Sequence, residues 1–172
     1  MKKYSTLSED SLNELFSSAI SVERMRQHHN LHSSADESVQ RLFNAMHYGT
    51  YLQPHSHPAM AGVETLLVIS GCCGFVEFSD DGSIRATEVL MGNKEDYPCR
   101  PTTSIIEISP SCWHTILCLS PKALIFEVKA GPFVDEKAKL FAPWAPREGA
   151  KDSIHYRNDL ESELIARHYD YS

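Results

Sequence analysis

His55 and His57 stand one residue apart at the end of Gly49-Thr50-Tyr51-Leu52-Gln53-Pro54-His55-Ser56-His57, and six residues separate His57 from Glu64. Alternate side chains of an extended chain point to the same face, so the two imidazoles project together from Cα atoms roughly 7 Å apart. Glu64 opens an apolar run over 66–69 and offers a carboxylate beside the histidine pair if the two strands are antiparallel neighbours. A fourth candidate, His114, closes Pro110-Ser111-Cys112-Trp113-His114. Three imidazoles and a carboxylate form a borderline nitrogen and oxygen donor set. It suits divalent Fe, Zn, Ni, Mn or Co and is poor for Ca or Mg. Four protein ligands on an octahedral ion leave two adjacent positions for water or substrate, as a working site requires. With nine histidines in 172 residues a chance His-x-His is not rare. The glycines at 49 and 71 and the acid at fixed distance lift this one above chance.

The elements that must position these residues read as strands. Val39, Arg41, Phe43 and Ala45 alternate on one face of a strand over 39–46, and Tyr48-Gly49 turns into the histidine segment. An Arg41 on the inner face would clamp an anion; on the outer face it is surface. Further strands are expected over 75–78, 84–90, 104–108, 113–119 and 123–129. Asp80-Asp81-Gly82 makes a tight turn between the first two. Cys112, His114, Ile116 and Cys118 share a face. Strands of this length between turn signals predict an all-β barrel or sandwich. Ahead of them, Ser8 caps a helix with Leu12, Leu15, Phe16, Ala19 and Ile20 at helical spacing, a stripe that would pack on the outside of the barrel. The loop over 91–101 is expected to be irregular. After Gly131-Pro132 a Pro- and Trp-containing stretch to Gly149 reads as an extended wrap, and 157–167 as a short polar helix in a C-terminal extension. The expected division is 1–33, an N-terminal helix and polar flap; 34–131, the barrel; and 132–172, the wrap and tail.

A chain of this length can bury ~70% of its unfolded surface in one domain. The formal net charge of -7 argues against nucleic acid or an anionic membrane as partner. No apolar run approaches the ~18 residues of a membrane helix, and the N-terminus lacks a signal-peptide pattern, which predicts a cytoplasmic protein. Five cysteines at 72, 73, 99, 112 and 118, without Cys-x-x-Cys, do not form a secreted disulfide framework.

Gly49, His55, His57, Glu64 and Gly71 resemble the first motif of the cupins, with Glu64 slightly further from the pair than in that pattern. The second motif is matched by Pro110 and His114; Cys112 stands where glycine is usual, His114 comes one residue early, and Cys118 stands where Asn is usual. Within the cupins the chain resembles the WbuC family of metalloproteins, found with O-antigen and other surface-polysaccharide genes. That resemblance runs over 7–149 through Arg24-Met25-Arg26, Asn30-Leu31-His32, Gln40-Arg41, Pro54-His55-Ser56-His57, Phe126-Glu127-Val128-Lys129-Ala130-Gly131-Pro132-Phe133 and 141–149. It implies a jelly-roll barrel holding one divalent transition metal. It also implies substrate contact by some of Arg24, Arg26, Asn30 and His32, in a flap over the barrel mouth; the plain alternative for this polar segment is a solvated loop.

A metal-dependent enzyme on a small polar metabolite is the leading expectation. Gene context of the family implies a sugar or sugar nucleotide undergoing isomerisation, epimerisation or oxidation in O-antigen (lipopolysaccharide) synthesis. Glu127 is the candidate general base; its plain alternative is a surface carboxylate beside Lys129. Arg24, Arg26 and Arg41 form a basic cluster on an acidic chain and would hold an anionic or sugar-like substrate bidentately. The alternatives are a non-catalytic metal- or sugar-binding sensor and a structural partner in polysaccharide assembly. The apolar outer face at Leu67 and Ile69, with Phe133, Phe141 and Trp144, predicts a homodimer.

Overall fold

In the computed structural model, which describes residues 4, 6–92, 101, 103–134 and 139–168, ten strands form two five-stranded sheets. The first sheet runs β1 (Arg26–Asn30), β2 (Val39–His47), β9 (Lys122–Ala130), β4 (Glu64–Ser70), β7 (Ile105–Ile108). The second runs β10 (Leu140–Phe141), β3 (His55–Ser56), β8 (Trp113–Cys118), β5 (Cys72–Phe78), β6 (Ile84–Met91). All pairings between these strands are antiparallel. Met46, Leu66, Val68 and Ile125 of the first sheet meet Phe75, Leu90 and Ile116 of the second in the main core. The expected all-β barrel is thus formed by one apolar face of each sheet, and among the described residues no helix is long and apolar enough to cross a membrane.

Each sheet is covered outside by a helix. Ser8 accepts a hydrogen bond from the Ser11 amide and starts α1 (Glu9–Ile20), whose Leu15 and Ala19 pack on Ala45 and Leu124. The predicted outer stripe is therefore a packing stripe. The second sheet is covered by α2 (Ser153–His168), longer and more deeply docked than the polar helix expected at 157–167. Leu160 and Leu164 sit with Val76, Phe78 and Leu117. Arg157, with no exposed surface, donates to Cys118 O at 2.9 Å, pairs with Glu161 and stacks over Tyr48.

Two of the glycines that close approach requires stand at tight turns. Gly71 turns β4 into β5 at φ +79°, and a Cβ there would lie 2.3 Å from Lys122 O. Gly82, at φ +87°, leaves room for the Trp144 ring, where a Cβ would come within 2.8 Å. Trp144 rests 4.9 Å from Phe78, ring to ring, so it belongs to the molecule's own packing. The wrap over 141–149 is tied down by Tyr51 Oη to Pro146 O, 2.7 Å, and Ala142 N to Pro54 O, 2.8 Å.

Two expectations change. The polar segment 26–30 is an edge strand paired with β2, because its backbone meets Leu42–Met46 in register. In β2 the inward face is Gln40, Leu42, Asn44 and Met46, so Arg41 points outward. Of the loop expected over 91–101, positions 93–100 lie outside the described residues, as does Cys99.

Candidate metal centre

His55 and His114 are direct cross-strand partners in β3 and β8, and His57 follows β3 by one residue. The three are buried, and ligand atoms of their rings lie within 4.8 Å of one another. Their ring centroids are 4.5 Å (His55 to His114), 5.2 Å (His55 to His57) and 5.6 Å (His57 to His114) apart. Glu64 joins them from the opposite sheet, across the barrel, rather than from a neighbouring strand. Its Oε2 is 3.1 Å from His57 Nε2 and 3.5 Å from His114 Nε2, while Oε1 is 3.6 Å from Lys129 Nζ. The expectation that the glutamate strand pairs with the histidine strand is thereby corrected: β4 pairs with β7 and β9.

The hydrogen bonds test whether these residues fit a metal. His55 Nδ1 lies 3.1 Å from Gln53 O, and His114 Nδ1 2.9 Å from Cys112 O. A carbonyl only accepts, so each Nδ1 carries the proton; His55 Nε2 is left with its lone pair, while His114 Nε2 is the atom that meets Glu64. Fixing a ligand imidazole through its other nitrogen is how metal sites set tautomer and orientation. Burial, helped by the charges of Lys139 and His114, holds His55 well below the usual imidazole range, which keeps it neutral. Burial works against ionisation of Glu64. Hydrogen bonds from His114 and His57 and the Lys129 charge outweigh it and hold the carboxyl well below its usual range. Three buried imidazoles and a carboxylate in one cluster fit a divalent transition ion. The nearest thiol in sequence offers no rival, because burial pushes Cys112 up to about 11.

His55, Glu64 and His114 form part of the wall of a cavity of about 800 Å³ between the sheets. Of the other expected residues, Arg24, Arg26, Asn30, His32 and Glu127 line it and Arg41 does not. Arg41 pairs with Glu37 on the outer face, because β2 turns its even-numbered residues inward. Arg26 is buried, with Nη1 donating to Tyr51 O at 2.8 Å and Nη2 to Glu148 at 2.5 Å, so it ties the wrap to the barrel. His32 Nδ1 lies 2.9 Å from Arg41 O and 3.1 Å from Arg41 N, which sets it as a rung beside β2. Arg24 stays at the rim, donating to Arg26 O and Gln27 Oε1.

Glu127 is inside, not a surface carboxylate. It takes a 2.5 Å hydrogen bond from Lys129 Nζ. Burial and then the charge of Glu64 push its carboxyl up to about 7, with Lys129 pulling the other way. Lys129, Lys139, Arg147 and Glu148 also line the cavity and were not among the expected residues. Period two signals Lys129, since it shares a face with Glu127. The other three come from the segment after the barrel, where no periodicity marks them.

A family model described as "Domain of unknown function (DUF6016)" matches residues 7–90. That span includes His55, His57 and Glu64 and stops short of His114. A comparison with curated proteins finds no match. Among solved structures, the chain resembles a cupin-like protein, tm1010, from Thermotoga maritima msb8, with TM-score 0.50 and 15% identity, over 77% of this chain and 84% of that one. It resembles CapF, solved with the inhibitor 3-isopropenyl-tropolone, with TM-score 0.53 and 18% identity, over 70% of this chain and 32% of that one. Peruvianin-I, a cysteine peptidase from Thevetia peruviana latex, gives TM-score 0.45 and 10% identity, over 60% of this chain and 55% of that one. The chain thus spans about half of peruvianin-I and a third of CapF. Identities this low speak for the fold alone. On its own two-sheet core and its likeness to tm1010, this chain is a cupin barrel carrying an N-terminal helix.

Proposed function

We propose that the chain is a metal-dependent cupin enzyme acting on a small anionic, sugar-type metabolite. The observation that carries this reading is the convergence of His55, His57, His114 and Glu64 at a cavity rich in cations. Arg24, Arg26, Lys129, Lys139 and Arg147, five cations, share its wall with Glu64, Glu127 and Glu148, three acids. Arg26 and Lys129 are taken up by Glu148 and Glu127, which leaves Arg24, Lys139 and Arg147 to face a ligand anion. Guanidinium forks match phosphate or carboxylate bidentately. When bound, the ion would act as a Lewis acid on a substrate oxygen, or as the site of O₂ if it is iron. The chain's own residues would do the rest. Glu64 and the histidines hold the site, the rim cations orient the anion, and Glu127, beside Lys129 on the inner wall, holds or moves a proton. Isomerisation, epimerisation or oxidation in surface-polysaccharide synthesis is the reaction setting that the resemblance to the WbuC family supports.

The test is calorimetric titration of metal-loaded protein with matched neutral and phosphorylated or carboxylated sugars, followed by a turnover assay on whatever binds. Loss of one charged hydrogen bond is expected to weaken anion binding roughly tenfold or more in Arg147→Met and Lys139→Met. Equal affinity for neutral and anionic ligands, or unchanged binding in both variants, contradicts the anion reading. Tight binding without turnover of any ligand replaces the enzyme with a binding module.

We further propose that the chain is a homodimer. Ile69 and Ile105 are 37% and 51% exposed on the outer face of the first sheet, to the side of α1. Apolar surface of this kind is relieved by a second copy. Light scattering at micromolar concentration is expected to give twice the 19.4 kDa chain mass. A monomeric mass removes the proposal.

A further inference from the structure

A second cavity, of about 600 Å³, opens on the other side of the metal centre. The two cavities share Glu64, Lys129 and Phe133 in their walls. His55 and His114 line the first and His57 lines the second, so the point where the three imidazoles converge lies at the junction. Phe133 marks that junction, its ring 5.9 Å below Lys129 Nζ.

The two cavities differ in chemistry. Twelve of the 24 residues lining the first have ionisable side chains, against three of the 14 lining the second. Those three are His57, Glu64 and Lys129, the junction itself. The remainder of the second cavity is Pro58, Ala61, Val63, Pro132, Val134 and Leu140 with their neighbours. Val63, Val134 and Leu140 are 44%, 47% and 55% exposed, an unusual amount of apolar surface for one concave patch. A ligand group that filled it would be held by removal of that surface from water.

We propose that this second cavity is an apolar lobe of the same site, receiving an alkyl or aryl arm of the substrate while the substrate's charged part lies among the cations of the first. The substrate class narrows accordingly to an anion bearing an apolar arm next to its metal-facing oxygen, such as an acylated sugar anion or a branched oxo acid. This inference rests on the anion and metal reading above, since that reading places the charged end.

The test is calorimetry on metal-loaded protein with the straight-chain 2-oxo acids, from pyruvate upward. Each of the first few added methylenes is expected to tighten binding about fourfold. Two variants fill the lobe from positions other than the metal residues: Val134→Trp and Ala61→Phe, neither of them buried. In both, the chain-length dependence is expected to disappear. If pyruvate binds and the wild-type series is flat, the lobe is wrong and the anion reading survives. Chain-length dependence that persists in both variants also overturns the lobe, because the arm then lies elsewhere. If no member binds, the lobe falls, and the sugar titration above decides the anion reading by itself. A dimer that Val134→Trp dissociates, together with a flat series, overturns the lobe and assigns this face to a second copy.

Discussion

His57→Ala is expected to lower affinity for a divalent transition ion by at least ~100-fold, and Glu64→Ala by a similar order. Structural sites with four ligands reach about 10–16 kcal/mol in total, so one ligand in four is worth several kcal/mol. Competition with a chelating dye measures this directly. Acid should act in the same direction. The imidazoles bind metal only when neutral, so affinity is expected to fall with acid, with His55 itself staying neutral well below the usual imidazole range. The metal-free protein should also lose stability as pH falls below ~6.5, the ordinary imidazole value of the unfolded chain. Burial, with Lys139 and His114, holds folded His55 well below its unfolded value, so the unfolded chain takes up a proton first as pH falls through ~6.5. Unchanged metal affinity in His57→Ala would remove His57 from the ligand set.

Glu161→Leu is expected to destabilise the fold by about 3 kcal/mol, because it strands the fully buried Arg157 cation. For a chain of this size that corresponds to a fall in Tm of roughly 6–12 °C. Glu161 also accepts from Tyr48 Oη at 3.1 Å, and Arg157 donates to Cys118 O in the strand that carries His114. The pair therefore links α2 to the wall of the metal site. The double variant Arg157→Met with Glu161→Leu should recover part of the loss, since a buried pair replaced by apolar residues is often tolerated. Calorimetric melts of the two single variants and the double variant read this out. A Glu161→Leu melt within 1–2 °C of wild type would show that the pair does not hold the helix.

How much of this was readable beforehand depends on which side chains meet a uniform environment. The histidine pair was legible because its spacing is local and chemically unusual, and α1 because Leu15 and Ala19 face an apolar sheet while the opposite stripe faces water. The partner of the pair across the barrel was only half legible. Glu64 was identified, but local spacing does not tell which sheet a strand joins. The register of β2 misled for a physical reason. Its inner face alternates polar Gln40 and Asn44 with apolar Leu42 and Met46 because it borders a polar cavity, while Phe43 and Ala45 on the outer face are covered by α1. Neither face carries the plain apolar signature that would have turned Arg41 outward. The segment 26–30 failed for a related reason: it is an edge strand whose inward residues Arg26, His28 and Asn30 face the cavity rather than the core. In α2 the apolar pair Leu160 and Leu164 is diluted by charged residues, one of which, Arg157, is itself buried. Lys139, Arg147 and Glu148 reach the cavity only because the wrap folds back over the barrel, a tertiary event that leaves no periodicity behind.

The central claim is that three histidines and one glutamate of this chain hold a transition ion. X-ray absorption spectroscopy on zinc- or cobalt-loaded protein tests it most directly, through the multiple scattering that imidazole rings contribute. Three imidazoles per ion with oxygen completing the shell, falling to two in His114→Ala, is the predicted result. A shell containing sulfur, or fewer than three imidazoles in the wild type, would contradict it.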